Sequence, residues 1–551
     1  MVLKPFKKNP LPTLFLITIF TIIFLHLWSR NEVSTKIYQN FGKRPKWYQI
    51  IAQKFGKRKI RVGLVNINSE TSQSIIESMH GAAAEIVKVE FQHVDGNVQW
   101  DDLFPGCINE DEPKQQKCPE IPMPPRMEEH REFDVVVADV PCPKGGDENG
   151  FGSRDVFRLQ VNLVVAQLLV KNEGEIYHVN RLKYAVLMGS CGPMWEIFRC
   201  DDLVWNEGIL SIYKPDLRKL KQKMVMPVGS CQVAHPFAEP GQEEWQKGPI
   251  NSSLYHQQRV AYATVLHSSE AYVCGAIALA QSIIKSNSTR DLILLADDHI
   301  SEKSWRGLEA AGWKIKRIKR IRSPHAKKYA YNEYNYSKLR LWQLTEYDKI
   351  VFIDSDLIVL RNLDEFFVYP QLSAVQNNGH IFNSGIMVLE PSECAFQTLM
   401  QKRYTMGSYN GGDQGYLNEI FPWWHRWPGR AQMLKMFVIN EKDLSRRSGE
   451  VLSMKNYYTI HYLGLKPWMC YQDYDCNWDN LESQKHACDW AHEKWWQVYN
   501  AMPKDLKAYC ELTPKMDAKI KKWRGKARNA SLPDGHWKIE IKDPRMHKWA
   551  E

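Results

Sequence analysis

Residues 349–367 read KIVFIDSDLIVLRNLDEFF. The apolar run Ile350-Val351-Phe352-Ile353 passes directly into Asp354-Ser355-Asp356 and then resumes as Leu357-Ile358-Val359-Leu360. A buried strand does not tolerate two carboxylates unless their charge is compensated. The acids therefore sit at a strand end in water, or they hold a cation. What flanks them bears on the choice. RVAYATVL (259–266) reads as a strand, CGAIALAQSIIKS (274–286) as an amphipathic helix and RDLILLAD (290–297) as a strand. SEKSWRGLEAAG (301–312) follows as a helix ending at Gly312, then WKIKRIKRI (313–321) as an alternating strand. SKLRLWQLTEY (337–347) reads as a helix leading into the quoted stretch. This alternation predicts a mostly parallel sheet covered on both faces. Ligands of such sheets collect at the carboxyl ends of the strands, and Asp354 stands at one of them.

Two carboxylates one residue apart can grip a hard divalent cation, directly and through water. Oxygen ligands suit magnesium or manganese, and an added imidazole tilts the balance toward manganese. A diphosphate can complete the shell, with the metal neutralising it as a leaving group. The same letters recur at Asp473-Tyr474-Asp475, between cysteines and aromatics, and that pair is assigned no function.

With 551 residues, 44% of them hydrophobic and 25% charged, the chain has room for two or three domains with sizeable cores. Its formal charge of +10 is partly concentrated in Lys36–Arg61 and Lys519–Arg524. Such runs are read as solvated faces, and no nucleic-acid partner is expected. Residues 11–28, LPTLFLITIFTIIFLHLW, form an uncharged apolar run of about the length that spans a bilayer. No small-residue cleavage site follows it, so an uncleaved transmembrane anchor is expected, with a cytosolic tail at 1–10. Lys4, Lys7 and Lys8 favour that orientation, whereas the basic stretch at 29–58, read as a stem without periodicity, argues against it. All twelve cysteines lie beyond the anchor and none forms a CxxC pair, so disulfides in an oxidising lumen are expected rather than a zinc ribbon. Asn251, Asn287 and Asn529 begin glycosylation sequons. Residues 59–250 read as a further α/β region, with strands in KIRVGLVNIN (59–68), FDVVVADV (133–140) and KYAVLMGS (183–190). A helix is expected in VFRLQVNLVVAQLLVKN (156–172), and the Pro- and acid-rich segment 100–125 reads as loop.

Five further stretches occur in order around the quoted one: ATVLHSSEAYVCGAIALAQSI (263–283), YSKLRLWQL (336–344), HIFNSGIMVLEPS (380–392), NGGDQGYLNEIF (410–421) and IHYLGLKPW (460–468). Together they resemble family 8 of the retaining glycosyltransferases, the glycogenin-like group, over residues 257–470. The resemblance implies an α/β fold, a Rossmann-like nucleotide-sugar transferase domain of GT-A type with a mixed, mostly parallel sheet. The smaller α/β region, the anchor and a cysteine- and tryptophan-rich extension at 471–551 surround it. The resemblance further implies that Asp354, Asp356 and His461 hold Mn2+, and that Gly464 and Lys466 contact the diphosphate. HYLGLKPW is one residue shorter between Gly and Lys than glycogenin itself. Thr264 and Tyr272 are placed near the uridine, Ser355, Lys338, Asn383 and Ser384 at the donor, and Asp413 and Gln414 beside the anomeric carbon. Each has a plainer reading: His461 as a core histidine, Lys338 as a solvated cation, Asn383-Ser384 as a turn before Gly385, Asp413 as a helix cap. Metal and Lys466 would stabilise departing UDP as the sugar becomes oxocarbenium-like. Same-face attack and double displacement through Asp413 both remain open at this point.

The anchor and the extra lumenal region, with VGLVNINSE (62–70), DGNVQWDDLFP (95–105) and HYLGLKPW (461–468), are similar to the plant xylan glucuronyltransferases, and this likeness extends over residues 58–510. It implies transfer of glucuronate from UDP-glucuronate to O2 of xylose in xylan, in the Golgi lumen, with other xylan-synthesis enzymes as further partners. A glucuronate carboxylate wants a cation, ideally a bidentate arginine, and Arg340 and Arg361 are the candidates. The alternatives are an anchored relative using UDP-glucose or UDP-galactose on another glycan, or a lumenal scaffold without catalysis. The polar tail after Cys510 disfavours sphingolipid glucuronosyltransferases, which are expected to carry further C-terminal spans.

Overall fold

The computed structural model describes residues 44–104, 119–125, 132–143, 150–170, 182–225, 258–435 and 457–545. The expected anchor at 11–28, Asn251 and Cys107, Cys118 and Cys231 lie outside them. Among the described residues no helix is long and apolar enough to cross a membrane.

The first unit is a six-stranded sheet built from β1 (Ile60–Val65), β2 (Ala84–Val89), β3 (Val135–Asp139), β4 (Tyr184–Met188), β5 (Leu203–Glu207) and β6 (Leu210–Tyr213), in the order β2-β1-β3-β4-β6-β5. β2, β1, β3 and β4 run parallel and the last two pairings are antiparallel. β3 and β4 read as unbroken apolar runs because helices cover both their faces. The stretch expected to be an aperiodic stem instead holds a helix, Lys46–Phe55, with Trp47, Tyr48, Ile51 and Phe55 buried on one face. Four apolar side chains at helical spacing were diluted in the sequence by the basic residues between them. In the segment expected to be loop, Trp100–Leu103 forms a 3-10 turn whose Trp100 and Leu103 are buried.

The second unit carries β7 (Val260–Leu266), β8 (Asp291–Ala296), β9 (Lys314–Arg317), β10 (Lys349–Ile353), β12 (Ser373–Asn378), β13 (Ile381–Leu389) and β14 (His425–Arg426), in the order β14-β12-β13-β10-β7-β8-β9. β10, β7, β8 and β9 are parallel, whereas β13 runs against β10 and β12, giving the mixed sheet. Three short strands form a separate layer: β11 (Leu357–Val359), β15 (Met433–Leu434) and β16 (Thr459–His461), ordered β11-β16-β15. The segment expected to be a helix before β10 is a 3-10 helix, Asn335–Gln343.

The two units share one hydrophobic core, in which the almost fully buried helix Val156–Val170 meets Ile350, Phe352, Leu417 and Trp424. Trp195 stacks on Phe421 at 4.4 Å and donates its indole N–H to the Ile420 carbonyl at 2.8 Å. The Cys200–Cys394 disulfide joins the units, and Cys274–Cys510 ties the C-terminal extension to the second one. Beside the first of these, the fully buried Glu390 carboxylate meets Arg199 at 2.5 Å and Lys219 at 3.4 Å. Burial alone would raise its pKa, but Arg199, Lys219 and Lys349 hold it down at about 2. A pKa depressed in the folded state means the stabilisation is complete above the ordinary carboxylate range and is lost as pH falls toward 2. Glu390→Gln is expected to cost about 3–5 kcal/mol at neutral pH, because it strands buried cations. It should also flatten the acid limb of a melting-temperature-against-pH curve. Unaltered melting at pH 7 would contradict this.

Candidate active site

β10 ends at Ile353, and the next peptide N–H, that of Asp354, donates to the Gly385 carbonyl of β13 at 2.8 Å. Asp354 is therefore held at the carboxyl end of the strand, a third exposed, beside Ser384. The chain then turns into β11, which pairs antiparallel with β16 so that Leu357 faces His461. The Tyr462 N–H donates to the Asp356 carbonyl at 2.9 Å and locks this register. Asp354, Asp356 and His461 each offer one ligand atom, and all three atoms lie within 4.8 Å of one another. His461 Nε2 is 3.3 Å from Asp356 Oδ1. His461 is buried, with its two ring nitrogens facing Asp356 and Gln432.

Two lysines compensate the acids. Lys466 Nζ lies 2.6 Å from Asp356 Oδ2 and donates to the Tyr462 carbonyl at 2.5 Å. Lys338 Nζ lies 2.5 Å from Asp413 and 3.4 Å from Asp354, and donates to the Ser384 carbonyl at 3.0 Å. Partial burial pushes the Asp354 carboxyl up, with Asp356 and Asp413 adding to the push against Lys338. Asp356 goes the opposite way: burial opposes its charge, but Lys466 and His461 hold it far below the usual carboxylate range. Burial likewise disfavours the Lys338 ammonium, and Asp354 and Asp413 more than offset it. The site thus keeps a strongly ionised Asp356 beside a more basic Asp354.

The donor set accords with a hard divalent cation, two carboxylates and one imidazole. An ion on Nε2 leaves the His461 proton on Nδ1, which then needs an acceptor. Gln432 can supply one. Its Nε2 lies 2.8 Å from His461 Nδ1 and donates to Asn383 Oδ1 at 3.1 Å, and its buried Oε1 has no hydrogen-bond partner. A half-turn of the amide would present oxygen to that proton in exchange for the bond to Asn383. Gly385 makes the close approach feasible, since a Cβ there would lie 2.6 Å from His461 Cε1.

Asp413 begins the helix Asp413–Ile420, but it is not the cap, a position that Gly412 takes. Its Oδ2 instead accepts from Ser384 Oγ at 2.8 Å and pairs with Lys338. Gln414 Oε1 accepts from the Ser384 N–H at 3.2 Å, and its Nε2 donates to the Tyr409 hydroxyl at 2.6 Å. Asn383 sits one layer behind, where its Oδ1 accepts from the Gly385 N–H and from Gln432. Ser355, buried between the acids, backs onto Gly275, where a Cβ would meet the Ser355 carbonyl at 2.4 Å. Tyr272 faces the cluster, with Lys466 Nζ 5.9 Å from its ring centre. Gly464 adopts φ +72, and a Cβ there would strike Asn477 Oδ1 at 2.5 Å.

Three expected residues fall elsewhere. Thr264 is fully buried within β7, on the face shared with Tyr262 and Leu266, and its hydroxyl has no partner. Arg340 donates to the Lys319 carbonyl and to Gln343 and stacks on Phe396, because two residues along a 3-10 helix turn it away from Lys338. Arg361 lies over Tyr458, and β11 carries it roughly 16 Å along the strand from Asp356. Sequence reasoning missed Gln432, Tyr409 and Asn477, none of which lies at a charged motif. Asn477 Oδ1 accepts from the Leu465 N–H at 2.8 Å, and its Nδ2 donates to the Leu465 carbonyl, fixing the turn before Lys466. The second acidic pair supports that turn: Asp475 accepts from Asn477 and pairs with the buried Lys435 at 2.7 Å.

Residues 35–231 match the family model described as the GUX1-5 N-terminal domain, and residues 263–370 match Glycosyl transferase family 8. UDP-glucuronate:xylan alpha-glucuronosyltransferase 2 of Arabidopsis thaliana is 48% identical over 91% of this chain and 83% of its own length. UDP-glucuronate:xylan alpha-glucuronosyltransferase 1 of the same plant is 46% identical over 88% and 72%. Human Glycogenin-1 is 30% identical over 43% of this chain and 72% of its own.

Gln432→Leu removes the acceptor for Nδ1 while keeping the residue's bulk. It should weaken divalent-metal affinity by about 10–100-fold in isothermal titration. Arg340→Ala should leave the dissociation constants of UDP-glucuronate and UDP-glucose in an unchanged ratio. A selective loss of UDP-glucuronate would restore Arg340 as the carboxylate partner.

Proposed function

Since the chain belongs to the UDP-glucuronate:xylan alpha-glucuronosyltransferases, within glycosyltransferase family 8, we propose that it moves glucuronate from UDP-glucuronate onto O2 of xylose in xylan, with retention and with Mn2+ as its metal. The observation that carries this reading is the meeting of Asp354, Asp356 and His461 at one strand end, flanked by Lys466 on one side and the Lys338–Asp413 pair on the other. We propose in addition that the enzyme is a single-pass Golgi protein anchored by residues 11–28, with glycosylated lumenal domains.

Asp354, Asp356 and His461 would hold the ion, which when bound supplies positive charge to the diphosphate leaving group. Lys466 adds an ammonium on the same side. Its ammonium rests on Asp356 Oδ2, where it can offset charge on the departing diphosphate. Asp413 receives both Lys338 and Ser384 on Oδ2, so Oδ1 is the oxygen that remains for the sugar. A carboxylate oxygen that already accepts from an ammonium and a hydroxyl has its lone pairs engaged and is the poorer nucleophile. That favours same-face attack by the acceptor, with Asp413 stabilising the oxocarbenium-like carbon. Tyr272 lines the donor side, and Gly464 gives the turn that brings Lys466 round.

The test is incubation of the purified protein with xylohexaose, Mn2+ and a panel of UDP-sugars, followed by mass spectrometry. The expected product gains one hexuronic acid residue, from UDP-glucuronate alone, and disappears with EDTA. Transfer of a neutral hexose instead would overturn the donor assignment. Lys466→Ala should lower kcat by about 100- to 1,000-fold, in line with removal of one preorganised electrostatic donor.

A further inference from the structure

Among the described residues, four large aromatic side chains are more than half exposed: Tyr329 at 86%, Tyr331 at 88%, Tyr404 at 66% and Tyr409 at 54%. They are not scattered. All four belong to two loops, 322–334 and 403–412, that lead directly into the machinery described above. The first runs into the 3-10 helix that carries Lys338, and the second ends at Gly412, the residue before Asp413.

The two loops form one body. Ser323 Oγ donates to the Gly411 carbonyl at 2.8 Å, His325 Nε2 lies 3.1 Å from the Arg403 carbonyl, and Asn332 Nδ2 donates to the Asn410 carbonyl at 2.8 Å. Within the first loop the Tyr329 N–H donates to Glu333 Oε2 at 2.6 Å, and Glu333 is itself held by Arg322. Gly411, at φ +68, permits the contact, because a Cβ there would lie 3.0 Å from the His325 carbonyl. A tyrosine has only two side-chain torsions to fix, so rings on a braced loop offer contact area at low entropic cost. The Tyr409 hydroxyl accepts from the Gln414 side-chain amide, which ties the second loop to the residue after Asp413.

Exposed rings gathered at one place mark a binding surface, since single exposed apolar groups are normally dispersed. We propose that these tyrosines form the acceptor platform, a surface on which an unbranched β-1,4-linked xylose chain lies as it passes Asp413. The inference rests on the functional reading above and deepens it by naming what holds the acceptor. The chemistry favours this occupant. Xylose has no exocyclic hydroxymethyl group, so each sugar presents a flat C–H face to a ring, and the unsubstituted polymer is neutral and needs no ion-pair partner. One face of Tyr329 is covered by Lys328 and one of Tyr404 by Arg403, which leaves the opposite face of each for a sugar.

The full chain tests this with xylohexaose as the probe. Tyr329→Ala/Tyr404→Ala should raise its dissociation constant in isothermal titration, and its KM, by at least about tenfold, the combined loss of two rings' partial apolar contact. The KM for UDP-glucuronate and the rate of UDP release without acceptor should stay unchanged. Tyr409→Phe should keep xylohexaose affinity and Tyr409→Ala should lose it, which separates ring stacking from the hydroxyl bond to Gln414. Wild-type transfer with wild-type xylohexaose affinity in the alanine variants would overturn the platform and leave the functional reading standing. Failure of the wild type to bind or modify xylohexaose would overturn both. Tyrosine-dependent binding to anionic liposomes, or tyrosine-dependent self-association, without effect on xylohexaose would also overturn the platform.

Discussion

The antiparallel contact of β11 with β16 is the constraint on which the site depends. Each strand has three residues, too few to be stable alone, and both are fixed by burial of Leu357, Ile358, Val359 and Ile460 in a separate hydrophobic cluster with Val351, Ile353 and Trp495. The register is decisive because the side-chain period of a strand is two. A slip by one residue would turn His461 to the other face and separate it from Asp356. Two carboxylates at a strand end become a cation site only through that pairing.

Much of the surrounding structure keeps this geometry stiff. The first unit packs Trp195 on the end of the helix that starts at Asp413 and shares a hydrophobic core with it, so the N-terminal region acts as a brace for the sugar side of the site. From the far side, the C-terminal extension fixes the turn of Lys466 through Asn477 and Asp475, with the Cys470–Cys476 disulfide closing the same segment. Trp468, next to that turn, packs on Trp495 and Tyr272 and donates to the Ala271 carbonyl, linking the extension to the loop after β7. Lys466 and Lys338 complete the arrangement, since buried acids without them would be neutralised by protonation.

The sequence made the catalytic unit legible where chemistry and periodicity coincide. Asp354 and Asp356 interrupt an apolar strand, and a histidine and lysine recur in one later motif, so their meeting was foreseeable. Lys338, Ser384, Asp413 and Gln414 also came together as expected, although Asp413 serves Lys338 and Ser384 rather than the helix end. What escaped was set by tertiary contact. Gln432 and Asn477 are neutral amides with no local signature, and their roles arise only from what packs against them. Arg340 and Arg361 stand near functional residues in sequence, but helix and strand geometry carries both away. Thr264 was placed near the uridine, whereas strand alternation points it inward. The helix Lys46–Phe55 was hidden by its basic residues.

A divalent ion held by Asp354, Asp356 and His461 would offset the charge of the donor's diphosphate as it leaves. The measurement that tests this most directly is a crystal structure of the protein soaked with Mn2+ and UDP, with anomalous data collected at the manganese edge. A single strong peak is expected within bonding distance of His461 Nε2 and both carboxylates, with the Lys466 ammonium moved from Asp356 to a phosphate oxygen. A peak elsewhere, or UDP bound with Lys466 still on Asp356 and no metal beside His461, would contradict it.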